Sequence, residues 1–226
     1  MPTKPATIAK PAKHKTKGRV PLSIPLIQSK ALELIGRDGL EALSMRTLAK
    51  ELRVDPMAIY HHIPNKASLL SGIYESALAE LFEGSASNLS WQEQLKALLR
   101  RFRYLATRQP NLFPGLIASS HTSPTIAKTI DAVLGILLEA GLKPTDTVKT
   151  GDAVFAFISG FVLLELNHNA ASANDSTPQN PPPLPLANME RLREELQANQ
   201  FAESFEFGLQ FLITGIEANL PKPKKP

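Results

Sequence analysis

The sequence contains no cysteine and no long hydrophobic run. The absence of cysteine excludes a disulfide framework, thiolate zinc sites and cysteine nucleophiles, and it is compatible with a reducing cytoplasm. The most apolar run, Ala153–Leu164, has only 12 residues without a charge, whereas a membrane-spanning helix needs about 20. The basic N-terminus leads into Pro-rich sequence rather than an apolar segment, so no signal peptide is expected. We therefore expect a cytoplasmic protein in which this run is a buried helix.

The signatures of common enzymes are also missing. There is no Gly-rich phosphate loop and no serine nucleophile elbow. None of the histidines has the spacing of a metal ligand relative to a second histidine or an acid; they are His14, His61, His62, His121 and His168. We therefore predict that the chain is not an enzyme and that it has no metal site and no cofactor.

Acidic residues are absent from the first 20 positions, although the whole chain has 21 of them. Residues 1–20 are rich in Lys, Pro, Thr and Ala, and three more lysines lie among the last five residues. The two ends are therefore basic, and the region between them has more acidic than basic residues. We interpret residues 1–20 as a disordered basic arm that could contact DNA phosphates; a merely solvated tail is the alternative.

No stretch shows the alternation of apolar and polar residues that is typical of a β-strand, and apolar residues recur at helical spacing through most of the chain. Helix-capping residues precede several of these stretches, among them Ser23, Ser44, Asp55, Asn65 and Ser90. The fold class predicted is all-α. We divide the chain into the arm 1–20, a helix-turn-helix domain 21–66 and a larger domain 67–221 with a flexible loop at 172–187.

Residues 44–62 have the organisation of a helix-turn-helix: a short helix, a tight turn and a second short helix. A recognition helix must fit a major groove about 12 Å wide, so small residues near its start are expected. Spacing alone leaves an ordinary helical hairpin with a polar face as the alternative. The candidate DNA-binding residues in this segment are Arg46, Thr47, Met57, Ala58, Tyr60, His61 and His62, followed by Lys66 at the start of the next helix.

Four stretches of this region resemble the N-terminal domain of the TetR family: 39–49, 52–54, 58–62 and 65–70. The resemblance implies an all-α protein in which a three-helix DNA-binding domain precedes a larger domain that dimerises and binds an inducer. It places seven of the eight candidates, all except Thr47, at DNA-contacting positions. Met57 and Ala58 depart from the better-known members, so the operator sequence stays open.

Stretches of the C-terminal half resemble the tetracycline-repressor branch of that family; they lie at 91–92, 102–103, 163–165 and 207–215. In that branch polar residues hold a magnesium–tetracycline chelate. By this resemblance, Phe102 and Glu165 are retained, whereas the positions of the other ligands are occupied by Phe82, Leu98, Leu116, Ser120 and Phe157. A hard cation needs oxygen ligands or histidine, which apolar side chains cannot supply. We therefore expect that magnesium–tetracycline is not the inducer.

The aromatic residues of this half suggest an apolar ligand pocket, with an ordinary core as the alternative. Glu165 is its sharpest candidate, because a carboxylate among apolar residues needs a partner; a position at a solvated helix edge is the alternative. The candidate ligand-binding residues are Phe82, Leu98, Phe102, Phe113, Leu116, Ser120, Phe157, Phe161 and Glu165.

We also predict a homodimer, in which helices at 145–169 and 201–219 pair with their copies and Gly151, Gly160, Gly208 and Gly215 allow close approach. The predicted function is that of a repressor of a palindromic DNA operator, released when a small, largely apolar effector tilts the helix at 65–83. Activation by the ligand is left open. The alternative is a ligand-independent or nonspecific architectural DNA-binding protein.

Overall fold

The computed structural model describes residues 21–82, 88–118, 124–173, 186–198 and 200–221. All regular structure in these ranges is helical, which confirms the predicted all-α class. The predicted basic arm 1–20, Ser120, and positions 174–185 of the predicted loop lie outside the described residues. The helices are α1 Ile24–Asp38, α2 Met45–Leu52, α3 Pro56–Tyr60, α4 Lys66–Ala79, α5 Trp91–Arg108, α6 Phe113–Ala118, α7 Pro124–Glu139, α8 Pro144–Ala173, α9 Ala187–Arg191, α10 Arg193–Ala198 and α11 Phe201–Ala218.

The starts of five helices are capped by the side chains that the sequence indicates. The Ser44 hydroxyl accepts a hydrogen bond from the Thr47 amide at 3.1 Å, and Asn65 Oδ1 accepts one from the Ser68 amide at 2.8 Å. Ser23, Asp55 and Ser90 cap α1, α3 and α5 in the same way. Each cap satisfies an amide that has no partner within its own helix, and so fixes where that helix begins.

The first four helices share a small core. Ile27, Ala31, Leu48, Ile59 and Leu69 come from α1, α2, α3 and α4, and all are fully buried. Because these residues recur at helical spacing, each helix buries one face and leaves the opposite face in water. This core holds α3 in place although that helix has only five residues.

The larger C-terminal half is built around α5, which contacts both α7 and α8. Charged side chains connect α5 to α11 on the outside: Arg100 donates two hydrogen bonds to Glu206, at 2.8 and 2.6 Å. These bonds hold the pKa of the Glu206 carboxyl below its usual value. Both side chains are about half exposed, so the pair stabilises the fold only weakly.

One predicted helix is divided in the structure. The sequence suggests one helix at 189–200, but the chain turns at Leu192, and α9 and α10 are separate short helices.

The apolar run in α8 is less buried than the sequence predicts. In the isolated chain, only 28% of the most apolar window of Pro144–Ala171 is buried, and this stretch is long and apolar enough to cross a membrane by length and composition alone. One such helix is weak evidence for a membrane protein, because a core helix of a soluble protein passes the same test.

Candidate functional site

Helix α3 and the turn after it expose one side to water, because Ile59 and Ile63 on the other side are buried in the core. Ile59 is fully buried and Ile63, just beyond the helix, is 4% exposed. On the other side, Met57 is 60% and Tyr60 42% exposed. His61 and His62 are exposed as well. The helix therefore offers a side-chain surface that another molecule can reach.

The turn before α3 brings α2 beside it. Arg53 ends α2 in the left-handed region, with φ 55° and ψ 44°. The Val54 amide then bonds back to the Ala49 carbonyl at 3.0 Å. Arg46, in the first turn of α2, is exposed on the surface. This short, left-handed connection creates the helix-turn-helix geometry.

Three of the predicted DNA-binding residues are less available than the others. The Thr47 hydroxyl is exposed, but it accepts a hydrogen bond from the Ser44 amide at 2.9 Å as part of the α2 cap. Ala58 is half-buried, and so is Lys66, whose ammonium lies 3.4 Å from the Leu40 carbonyl. Thr47 and Lys66 therefore also hold the domain together.

A cavity of about 440 Å³ lies between α4, α5, α6, α7 and α8. Its wall is almost entirely apolar; among the described residues, the side chains of Thr129 and Asp152 are its polar members. The wall residues are Leu78, Leu98, Leu99, Phe102, Leu116, Ile117, Ile126, Thr129, Ile130, Val133, Leu134, Val148, Gly151, Asp152, Val154, Phe155 and Ile158.

The cavity wall includes three of the predicted ligand-binding residues, Leu98, Phe102 and Leu116. Phe113 is fully buried and lies outside the wall, with its ring edge-on to Phe102 at 5.2 Å between centroids. Phe82 is 36% exposed and is also outside the wall.

The other described candidates lie on a different face of α8, directed towards α11. The Phe157 and Phe161 rings pack against Phe205, with centroid distances of 5.9 and 5.3 Å. Glu165 is buried and accepts two hydrogen bonds from Arg103, at 2.7 and 2.6 Å. The partner expected for Glu165 is thus an arginine of α5.

Sequence reasoning missed the contribution of α7 and of the first half of α8. Val148, Asp152 and Phe155 follow one another at intervals of four and three residues, so they share a face of α8. A search for aromatic residues favours Phe157 and Phe161 instead, because helical spacing alone cannot tell which face meets a cavity. Ile126, Ile130 and Val133 on α7 recur at the same spacing as the apolar residues of any core helix, so this spacing does not indicate a cavity.

Helix α6 connects the cavity to the N-terminal helices. Its residues Leu116 and Ile117 belong to the wall. A Cβ atom on Gly115 would lie 2.6 Å from Leu40 Cδ2 and 2.7 Å from the Tyr74 hydroxyl, so a larger residue here would force these side chains to shift. Burial raises the pKa of Tyr74. Just before α6, the Asn111 side-chain Nδ2 donates to two carbonyls in the last turn of α1, those of residues 35 and 36, at 3.1 and 3.0 Å.

Helices α8 and α11 leave large apolar side chains in water. Leu164 is 61%, Phe207 68% and Phe211 66% exposed, and the two phenylalanine rings are in contact at 4.8 Å. Of the glycines expected at a dimer interface, Gly160 and Gly215 have open space beside them. Gly151 and Gly208 instead allow contacts within the chain, with Leu134 and Phe157.

Comparisons with known proteins agree with this architecture. Residues 27–73 match the family described as "Bacterial regulatory proteins, tetR family", and residues 84–220 match "Tetracyclin repressor-like, C-terminal domain". Tetracycline repressor protein class E of Escherichia coli is 31% identical over 206 residues, covering 90% of this chain and 94% of the relative.

Two solved structures are similar over most of both chains. The Streptomyces coelicolor TetR family protein ActR in complex with actinorhodin has a TM-score of 0.72 and 25% identity, over 88% of this chain and 98% of that one. BioQ with its double-stranded DNA operator has a TM-score of 0.64 and 25% identity, over 87% and 98%. These relatives are transcriptional regulators and not enzymes, which confirms the prediction that the chain is not an enzyme. The chain belongs to the TetR family of DNA-binding transcriptional regulators.

Proposed function

We propose that the protein is a homodimeric, cytoplasmic repressor that binds a palindromic DNA operator and leaves it when a small, largely apolar ligand enters the C-terminal cavity. The observation that carries this proposal is α3, which is held by Ile59 and Ile63 and exposes Met57, Tyr60 and His62.

The exposed side chains of α2 and α3 suit a DNA groove. Arg46 provides a fixed positive charge for a phosphate or for guanine. Tyr60, His61 and His62 can donate hydrogen bonds, and the Met57 side chain can contact a thymine methyl group. The BioQ structure shows a protein of similar fold bound to its operator.

A second copy of the chain is the expected partner of the apolar face on α8 and α11. Leu164, Phe207 and Phe211 are large and contact water in the isolated chain. An exposed apolar patch, such as the touching rings of Phe207 and Phe211, usually marks a binding site for another protein. A twofold dimer places two copies of α3 about 34 Å apart on one side of the DNA, which is why a palindromic operator is expected.

The cavity favours an apolar ligand over magnesium–tetracycline. Its described wall has one carboxylate, Asp152, and no histidine. No group of three or more potential metal ligands occurs in the described part of the chain. A site for a hard cation needs several oxygen or imidazole ligands, so this wall is poorly suited to a chelated metal.

Release follows if the ligand favours a conformation in which the two copies of α3 no longer match the operator. Helix α4 runs from the DNA-binding half to the cavity, where Leu78 belongs to the wall. Helix α6 contacts both the cavity and Leu40 through Leu116 and Gly115. A ligand that displaces either helix would therefore move the DNA-binding half.

The test is selection of bound DNA from a random pool by the full-length protein, followed by affinity measurements on the selected site. We expect a palindromic consensus. Tyr60→Ala should weaken binding by about 10–100-fold, the loss of one or two groove contacts. Tyr104→Ala removes a tyrosine of α5 that is more exposed than Tyr60, and should leave affinity unchanged. Recovery of no consensus would instead favour an architectural DNA-binding protein.

A further inference from the structure

We propose that the ligand of the cavity carries a positive charge: it is an organic cation with an apolar body, and Asp152 is its counter-charge. This inference rests on the proposed function, because it specifies the chemical class of the ligand for the same cavity.

Asp152 is the one charged side chain in the wall formed by the described residues. No hydrogen bond or ion pair joins it to another side chain in the parts of the chain that the structure describes. Lys149, one turn earlier on α8, and Lys128 on α7 are exposed and lie outside the wall. The carboxylate is therefore available to a ligand.

The position of Asp152 places this charge at the opening of the cavity. Asp152 is exposed, and its neighbours on the same face of α8, Val148 and Phe155, are 57% and 41% exposed. Deeper wall residues such as Leu98 and Ile158 are buried. An apolar body can thus fill the interior while a charged group stays near Asp152.

Charge selection follows from this arrangement. An anion of the same shape would be repelled by the carboxylate, and because Asp152 is exposed, water at the opening limits this repulsion to the scale of a surface charge pair. A cation would gain the opposite attraction, and Phe155 provides an aromatic ring nearby that can also interact with a cation. The apolar wall supplies most of the affinity, and Asp152 supplies the discrimination.

Tetraphenylphosphonium and tetraphenylborate provide a direct test, because the two ions have nearly the same shape and opposite charge. Their affinities for the full-length protein are measured by calorimetry, and operator release is measured separately by anisotropy of labelled DNA. We expect the ratio of phosphonium to borate affinity to fall about tenfold in Asp152→Asn and further in Asp152→Lys. Asp131→Asn, a matched loss of charge on α7 outside the wall, should leave the ratio unchanged.

A ratio in Asp152→Asn within twofold of the wild-type value would overturn the inference, and so would failure of both ions to bind. Equal release of the operator by the two ions in every variant would also refute charge selection while leaving the proposed ligand control intact. A ratio that depends on Asp152 without any release of DNA would support the cationic ligand and contradict the release mechanism.

Discussion

Helices α3 and α8 expose different kinds of surface. Helix α3 has five residues, and together with the turn after it exposes the hydrogen-bonding side chains of Tyr60, His61 and His62 beside Met57; helix α8 has 30 residues and, away from the cavity wall, exposes the wholly apolar Leu164. A short helix stays folded because a few fully buried anchors from neighbouring helices hold it. A long helix can bury one face in the cavity wall and a second face against α11, and still expose a third face to water.

The comparison shows that exposure has a different meaning in the two halves. Polar side chains on a supported helix are ready for a charged, hydrogen-bonding partner such as DNA. Large apolar side chains in water signal a partner that is itself apolar, and here the expected one is a second copy of the chain. The following predictions test this contrast, beginning with the largest expected effect.

Introducing charge on the apolar face should separate the dimer. In the double variant Phe207→Asp, Phe211→Asp, each dimer loses four rings, each worth about 2 kcal/mol when buried. We expect a monomer at micromolar concentration in sedimentation velocity, with operator affinity lowered by at least about 100-fold. Leu138→Asp changes an exposed apolar residue of α7 and should leave the dimer intact. A double variant that still sediments as a dimer would show that this face is not the interface.

Removal of the buried carboxylate should destabilise the C-terminal half. Glu165→Ala leaves the Arg103 guanidinium, whose side chain is only 22% exposed, without its counter-charge. We expect the free energy of unfolding in urea, at one fixed protein concentration, to fall by about 3 kcal/mol. Glu206→Ala breaks the half-exposed pair with Arg100 and should cost less than about 1 kcal/mol. Equal losses in the two variants would contradict the buried placement of Glu165.

Loss of the α2 cap should have a smaller effect, centred on the DNA-binding half. Ser44→Ala removes the acceptor of the Thr47 amide, and we expect a loss of about 1 kcal/mol in urea unfolding. Faster hydrogen exchange should be concentrated at the first amides of α2. Ser29→Ala, at an exposed position of α1, should change stability by less than about 0.5 kcal/mol. An equal increase of exchange in α8 would contradict an effect centred on the DNA-binding half.

Local signals predicted most of the helices. Ser44, Asp55 and Asn65 mark helix starts because their side chains satisfy free amides two or three positions further along the chain. The same signals predicted the two short helices of the helix-turn-helix, but the resemblance to the TetR family was needed to distinguish it from an ordinary helical hairpin. The break at Leu192 was not, because Met189–Gln200 has helical spacing throughout and nothing local stops it.

The candidate ligand residues show where prediction from sequence ends. Leu98, Phe102 and Leu116 belong to the cavity wall, whereas Phe157 and Phe161 pack on Phe205. Both groups are apolar and lie on amphipathic or fully apolar helices. Their spacing therefore predicts that they are buried, but it does not distinguish the cavity wall from the packed contact between α8 and α11. Asp152 gave no local signal at all, since a lone aspartate in a helix is usually solvated.

The sequence by itself determined the all-α class, the capped helix starts and the outward side of α3, because these follow from caps and from apolar spacing within a few positions of the chain. Only the tertiary structure decided which face of α8 meets the cavity, that Arg103 neutralises Glu165, and that α6 links the cavity wall to Leu40. Those outcomes depend on how separate helices rotate and pack against one another. The residues that meet in this packing are distant in the sequence, and no local pattern predicts their contacts.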